Sequence, residues 1–210
     1  MATYNNTQKP KFYSIAYGKI RTGKGENLEE FTGIDGFLKD IVIRKATMNG
    51  EEKTMTEFRF VDEGEPFCIS CELYGSYSNT ILKSLANIQD FSQKILIETY
   101  LSKKENVDNP LTNISVTQNG EQVRWIEIPS VEKFTLDTGE IVKSTKKRDA
   151  FIDSVISDLQ MRLKSGERSS QIHEGYKVNA GEPVPPVAPI DDDPDNGRFD
   201  GGGDYKPNLQ

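Results

Sequence analysis

Two periodicities run along this chain, one of two residues and one near 3.6. Thr54 to Asp62 alternates, with Thr54, Thr56, Phe58 and Phe60 on one side, and Phe67 to Tyr74 does so through Phe67, Ile69, Cys71 and Leu73. Successive side chains of a strand point to opposite faces, so each stretch predicts a strand with one buried face. Lys11 to Thr22, rich in aromatic and β-branched residues, predicts another strand. Asp40 to Met48 predicts one more, closed by Asn49-Gly50, a pair suited to a two-residue hairpin. Gln93 to Lys103 carries Ile95, Ile97, Thr99 and Leu101 on one side, and residues 112–117 and 122–128 bracket a second such pair, Asn119-Gly120. The longer period appears twice. Ile81, Leu82, Leu85 and Ile88 share a helical face, with Ser76 or Ser78 available as a cap. Residues 147–164 place Phe151, Ile152, Val155, Ile156, Leu159 and Leu163 together, and Gly166 suits the helix stop.

Strands, a short helix, then a strand and a hairpin is the order of the OB-fold, a five-strand Greek-key barrel with its helix between the third and fourth strands. Here an extra hairpin strand must be absorbed. The expected architecture is mainly β: an OB-fold-like Greek-key barrel with one short inter-strand helix over residues 1–145, an added amphipathic helix over 146–165, and a tail over 166–210. An antiparallel sandwich is the competing plan.

Composition separates the tail from the rest. The 210 residues carry a net charge of −7, and the segment from Ser165 to Gln210, with 9 acidic and 4 basic residues, holds −5 of it. That segment also has 6 of the 10 prolines. Each proline removes a backbone donor, so Gly181 to Pro189 cannot hold a helix or a ladder, and Asp191 to Asp195 repel one another. A disordered acidic tail is therefore expected. No run approaches the roughly 20 apolar residues of a membrane span, and no signal sequence opens the chain, so a cytoplasmic protein without a membrane partner is expected.

Most chemical motifs fail on inspection. Gly18 to Gly25 resembles a phosphate loop but has Gly25 where a magnesium-binding Ser or Thr is required. Cys68 and Cys71 have redox spacing, yet positions three apart in a strand point to opposite faces, and two cysteines make no zinc site. The single histidine, His173, falls in the tail segment, so no Ser-His-Asp or Cys-His set assembles. No enzyme activity, metal or cofactor is expected.

What remains is cations interleaved with aromatics. Lys9 to Lys24 contains five basic residues and no acidic one, with Phe12, Tyr13 and Tyr17 among them. On a single strand, Tyr17, Lys19 and Arg21 would share a face, with Lys24 just beyond. Arg44, Lys45 and Arg59 follow in later strands, Tyr74 and Tyr100 fall off the apolar faces of theirs, and Arg124 adjoins Trp125. Cations neutralise phosphates and aromatic faces stack bases, which is what a single-strand binder needs. The plain alternative is equally simple: aromatics favour strands, and charge favours solvated faces.

With these residues in view, the chain resembles phage single-stranded DNA-binding proteins of the OB-fold type. The likeness rests on the glycine-bounded basic first strand, Gly33 to Gly36, Ser84 to Asn87, Ile95 to Tyr100, Val116 to Glu121 with Trp125, and the acidic tail. It implies a sequence-tolerant protein that coats single strands in replication, recombination or repair, possible self-association, and a tail that recruits replication or recombination proteins. Asp191, Asp192, Asp193, Asp195, Phe199 and Asp200 would form the tail's partner and autoinhibitory segment. Phe199 is internal here, whereas bacterial-type tails end on an aromatic. The alternative from another class is a β-rich structural or assembly protein, such as a virion component.

Overall fold

The computed structural model describes residues 9–48, 50–101 and 112–166. The expected disordered tail, including Asp191 to Asp200, lies outside the described residues.

The chain forms β1 (Lys11–Ala16), β2 (Lys19–Thr22), β3 (Glu29–Phe31), β4 (Gly33–Met48), β5 (Glu51–Asp62), β6 (Glu65–Glu72), α1 (Ser76–Leu85), β7 (Ile95–Leu101), β8 (Thr112–Gln118), β9 (Glu121–Gln122), β10 (Glu132–Thr135), β11 (Ile141–Ser144) and α2 (Lys146–Ser165). One mixed sheet runs in the order β3-β2-β1-β6-β5-β4-β7-β8-β9, and β10-β11 stands as a separate pair. β1 and β6 are parallel, while the other ladders are antiparallel. The mainly β expectation holds, with a helix between strands and a second helix at residues 146–165.

Among the described residues, barrel closure is not found. The sheet nonetheless coils strongly, for a reason of chain continuity. β3 is the edge strand and β4 lies beyond β2, β1, β6 and β5, yet only Thr32 separates β3 from β4. The sheet must therefore bend back on itself. Thr32 reinforces the bend, its carbonyl accepting the Thr99 amide at 2.7 Å.

Several boundaries differ from the expected ones. Lys11 to Thr22 is two strands, broken at Tyr17 and Gly18, whose φ values of 51° and 70° make a tight turn closed by the Ala16↔Lys19 pair. β4 begins seven residues before Asp40, at Gly33, and slips register between Leu38 and Asp40. That bulge lets both Leu38 and Ile41 point into the core, although their spacing puts them on opposite faces of a regular strand. The expected strand at 122–128 is reduced to Glu121–Gln122. Val123 still donates its amide to the Val116 carbonyl of β8 at 2.8 Å, and beyond it the chain leaves the sheet for the helix, where the Ile126 amide donates to the Lys83 carbonyl at 3.1 Å. Neither serine caps α1: the N-cap is Gly75, and Ser78 is buried and donates to the Thr56 hydroxyl at 3.3 Å. β3 and the β10–β11 hairpin had no distinct signal.

The core follows the period-two faces. Phe58 and Phe60 of β5, Ile69 and Phe67 of β6, Ile41 of β4, and Ile95 and Ile97 of β7 meet Ile81, Leu82 and Leu85 of α1. α2 covers the same cluster through Ile152, Val155, Ile156 and Leu159. Its Gln160 amide reaches the Ile41 carbonyl at 2.6 Å, and Arg162 reaches the carbonyls of Ala86, at 3.1 Å, and Ile88. Gly166 ends α2 in the left-handed conformation, its amide returning to the Arg162 carbonyl.

Candidate nucleic-acid interface

The residues of β1, β6, β5 and β4 that alternate with the core residues form a second face. Phe12 pairs with Cys68, and Cys68 with Arg59, so Phe12 and Arg59 stand in one row across three adjacent strands. The next row along β5 holds Glu57 beside Ser70, and the one after it holds Met55 between Glu72 and Arg44. On β2, Arg21 and Lys19 sit opposite Ser14 and Ala16, the residues that share the parity of Phe12. Thus Lys19, Arg21, Arg44 and Arg59, which are scattered over 41 positions of sequence, share a face with an aromatic ring that is 45% exposed.

The electrostatics of this face centre on Glu57. Its side chain is 1% exposed although it points away from the core. Burying a carboxylate is costly unless it is paired and hydrogen-bonded. Two arginines pair with it, and hydrogen bonds reach one of its two oxygens. Arg59 donates to one carboxylate oxygen through Nε at 3.3 Å and Nη2 at 3.0 Å, and Arg44 pairs with the other oxygen. Both arginine side chains remain 46% exposed. The Arg44 guanidinium also lies over the Phe12 ring, 5.4 Å from its centre, a geometry favourable for a cation on an aromatic face. Beneath them the Cys68 thiol is pushed up to about 12, first by burial and then by the Glu57 carboxylate, with Arg59 and Arg44 opposing. Cys68 is therefore a neutral thiol near pH 7, as is Cys71, raised to about 12 by burial.

The β1–β2 turn forms a second part of the site. Tyr17 is 61% exposed at a positive φ, an uncommon backbone state for a bulky residue. The Arg21 guanidinium lies 4.8 Å from its ring centre and also pairs with Glu30 at 2.6 Å. Gly18 is required next to it. A Cβ there would come within 2.6 Å of the Leu101 side chain. The close approach lets the Gly18 carbonyl accept the Thr99 hydroxyl at 3.0 Å and its amide donate to the Thr112 hydroxyl at 2.7 Å. These bonds bring the Tyr17 turn to the end of β7 where Tyr100 stands. Tyr100 is half-buried, and burial raises its phenol.

The other expected residues are not brought to this face. Lys45 follows Arg44 and so points to the opposite side of β4, where it pairs with Glu52 at 2.6 Å. Lys24 is exposed beyond the end of β2. Tyr74 fastens α2, its hydroxyl donating to Asp153 at 2.8 Å. Arg124 and half-buried Trp125 lie on the segment held against α1, where Asn87 donates to the Arg124 carbonyl at 3.2 Å. The expected parity of Tyr17 with Lys19 and Arg21 fails because Tyr17 is in the turn, although cation–aromatic contact joins it to Arg21 all the same. Glu57, the organising residue, carried no sequence signal. It alternates with apolar residues as any solvated glutamate would.

Elsewhere, an open groove of about 430 Å³ lies along β4, β7 and β8, lined by Asp35, Phe37, Lys94, Leu96, Thr117 and Asn119 among others. Lys94 bridges Asp62 at 2.6 Å and Asp35 at 3.3 Å. Among the described residues no three His, Cys, Asp or Glu side chains are placed to hold a metal, and no helix is long and apolar enough to cross a membrane. No protein-family model matches the chain, and no curated protein or solved structure matches it.

Proposed function

We propose that this protein binds single-stranded DNA without sequence preference and without catalysis, coating it during phage DNA replication, recombination or repair. The observation that carries the proposal is the shared face of Phe12, Arg44, Arg59, Arg21 and Lys19, with Tyr17 at its margin. Exposed aromatic rings beside planar guanidinium groups suit bases and phosphates respectively, and neither reads sequence. The coiled sheet suits an OB-type barrel in outline. The acidic tail would compete with DNA for the cations and, once displaced, recruit replication or recombination proteins.

The three arginines of the face are ion-paired, Arg21 with Glu30 and Arg44 and Arg59 with Glu57. Phosphate must therefore exchange with Glu30 for Arg21, and affinity depends on salt both through counterion release and through that exchange. A labelled oligonucleotide titrated at several salt concentrations tests the proposal. Affinity that falls steeply with salt and is alike for different base sequences is expected. Absence of binding at low salt overturns it, and shortening of the oligonucleotide on adding magnesium would instead assign a nuclease.

One observation favours a structural or assembly protein. The β10–β11 hairpin leaves Phe134, Leu136, Ile141 and Val142 exposed, at 51%, 45%, 63% and 40%. A two-stranded hairpin is marginal alone, and such a surface suits a partner protein. Sedimentation with and without oligonucleotide separates the readings: assembly that ignores DNA supports the second.

A further inference from the structure

The geometry points to Glu57 as a positioning residue that holds Arg44 and Arg59 as a paired phosphate clamp, with Phe12 as the base-stacking platform of the same nucleotide subsite. This rests on the single-strand reading above and goes beyond it in naming the subsite and the residue that sets its geometry.

Glu57 has no other evident use. It is 1% exposed, it faces away from the core, and its two oxygens are divided between two arginines on neighbouring strands. An arginine carries five N–H donors in a rigid fork, and one carboxylate engages only part of each fork. With 46% of each side chain still exposed, the unused donors of both guanidiniums are available on the same side of the sheet. The trio sums to +1, and Asp40, the register partner of Arg59 on β4, offsets that charge, so the subsite holds a phosphodiester through the geometry of its two forks rather than through net charge. Free arginine side chains would lose considerable rotamer freedom on binding, and Glu57 removes that freedom beforehand. Phe12 supplies the apolar half of the subsite. It stands in the same row as Arg59 and beneath the Arg44 guanidinium, and the buried neutral thiol of Cys68 lies between Phe12 and Arg59 in that row. A phosphate bound by the arginines would place the attached base within reach of the part of the ring that Arg44 leaves exposed.

The positioning role predicts a sign opposite to that of charge alone. Glu57→Gln adds one unit of positive charge to the face. If charge alone governed binding, this variant would bind single strands more tightly and with a steeper salt slope. A positioning role predicts weaker binding, about fivefold to tenfold, because the two forks lose their common anchor. Glu57→Asp keeps the charge but shortens the reach, so it too should weaken binding. Phe12→Ala should weaken binding about tenfold with an unchanged salt slope, since it removes stacking and no phosphate contact. Thermal melts of each variant report folding. Should the Glu57 variants fail to fold, Arg44→Lys and Arg59→Lys serve instead. Each keeps the charge and loses the fork, so each should weaken binding at an unchanged net charge. Tighter binding by folded Glu57→Gln, or wild-type affinity in both lysine variants, overturns the clamp. Wild-type affinity in Phe12→Ala overturns the stacking platform. Failure of the unaltered protein to bind any single strand overturns the function itself, a separate result.

Discussion

β5 has two faces that differ by one residue of register and by nearly everything else. On one, Thr56, Phe58 and Phe60 are almost fully buried against α1 and the neighbouring strands. On the other, Glu57 is equally buried but Arg59 is not, and the carboxylate is held by ion pairs beside the buried Met55 and Cys68. The first face derives its stability from area removed from water and tolerates little change of shape. The second gains little net stability, because desolvating the carboxylate offsets much of its attraction to the arginines. A face that costs as much as it returns is better explained by what it presents to a ligand than by what it contributes to folding.

The largest effect should come from the apolar face. Phe58→Ala removes a ring that is 0% exposed and should lower unfolding free energy by about 3–5 kcal/mol. Chemical denaturation measures it. A loss under about 1 kcal/mol would mean the apolar face is not the stabilising one.

A smaller effect, visible only at high pH, should come from the fastening of α2 to the sheet side of the molecule. The Tyr74 phenol is raised from 10.0 to about 12, mainly by burial and then by its hydrogen bond to Asp153. The fold thus favours the protonated phenol. Its contribution is complete below pH 10, where both folded and unfolded chains are protonated, and is lost as pH rises through about 12. Tyr74→Phe should flatten that decline between pH 10 and 12. Both cysteines titrate in the same region in either protein, so the difference between the two curves isolates Tyr74. Parallel curves would show that the hydrogen bond is not coupled to folding.

The smallest effect belongs to Lys45, whose pair with Glu52 is solvated, with 71% and 64% of the side chains exposed. Lys45→Ala should change stability by under about 0.5 kcal/mol and leave oligonucleotide affinity near that of the unaltered protein. A tenfold loss of affinity would show that both sides of β4 bind DNA, and the division between the faces would fail.

The periodicities alone locate the inward residues of β5, β6 and β7, because a strand's side chains alternate whatever their partners. Likewise Phe151 to Leu163 marks α2, and Asn119-Gly120 marks the β8–β9 turn. The same rule misplaces Tyr17. Parity holds only within one strand, and the break at Gly18 depends on how closely Leu101, 83 positions away, approaches it. Trp125 shows the converse. Its segment has strand composition, but the Lys83 carbonyl on α1 takes the Ile126 amide that a ladder would have used. Of the candidate site, Lys19 and Arg21 of β2 and Arg59 of β5 were legible as sharing an outward face, whereas Arg44 was not distinguished from Lys45, which points to the other side of β4, and the neighbours across the sheet were not legible.

Local sequence by itself determined which faces are apolar, where the two helices lie, and that the charge is concentrated at residues 165–210, since each of these follows from side-chain chemistry and a fixed backbone repeat. Only the tertiary structure decided that β1 lies parallel to β6, that Thr32 turns an edge strand into a central one, and that Arg44, Arg59 and Phe12 converge on a buried Glu57. Strand order and register depend on which edges meet when the whole sheet coils around its core, and no periodicity within a single strand encodes its neighbour.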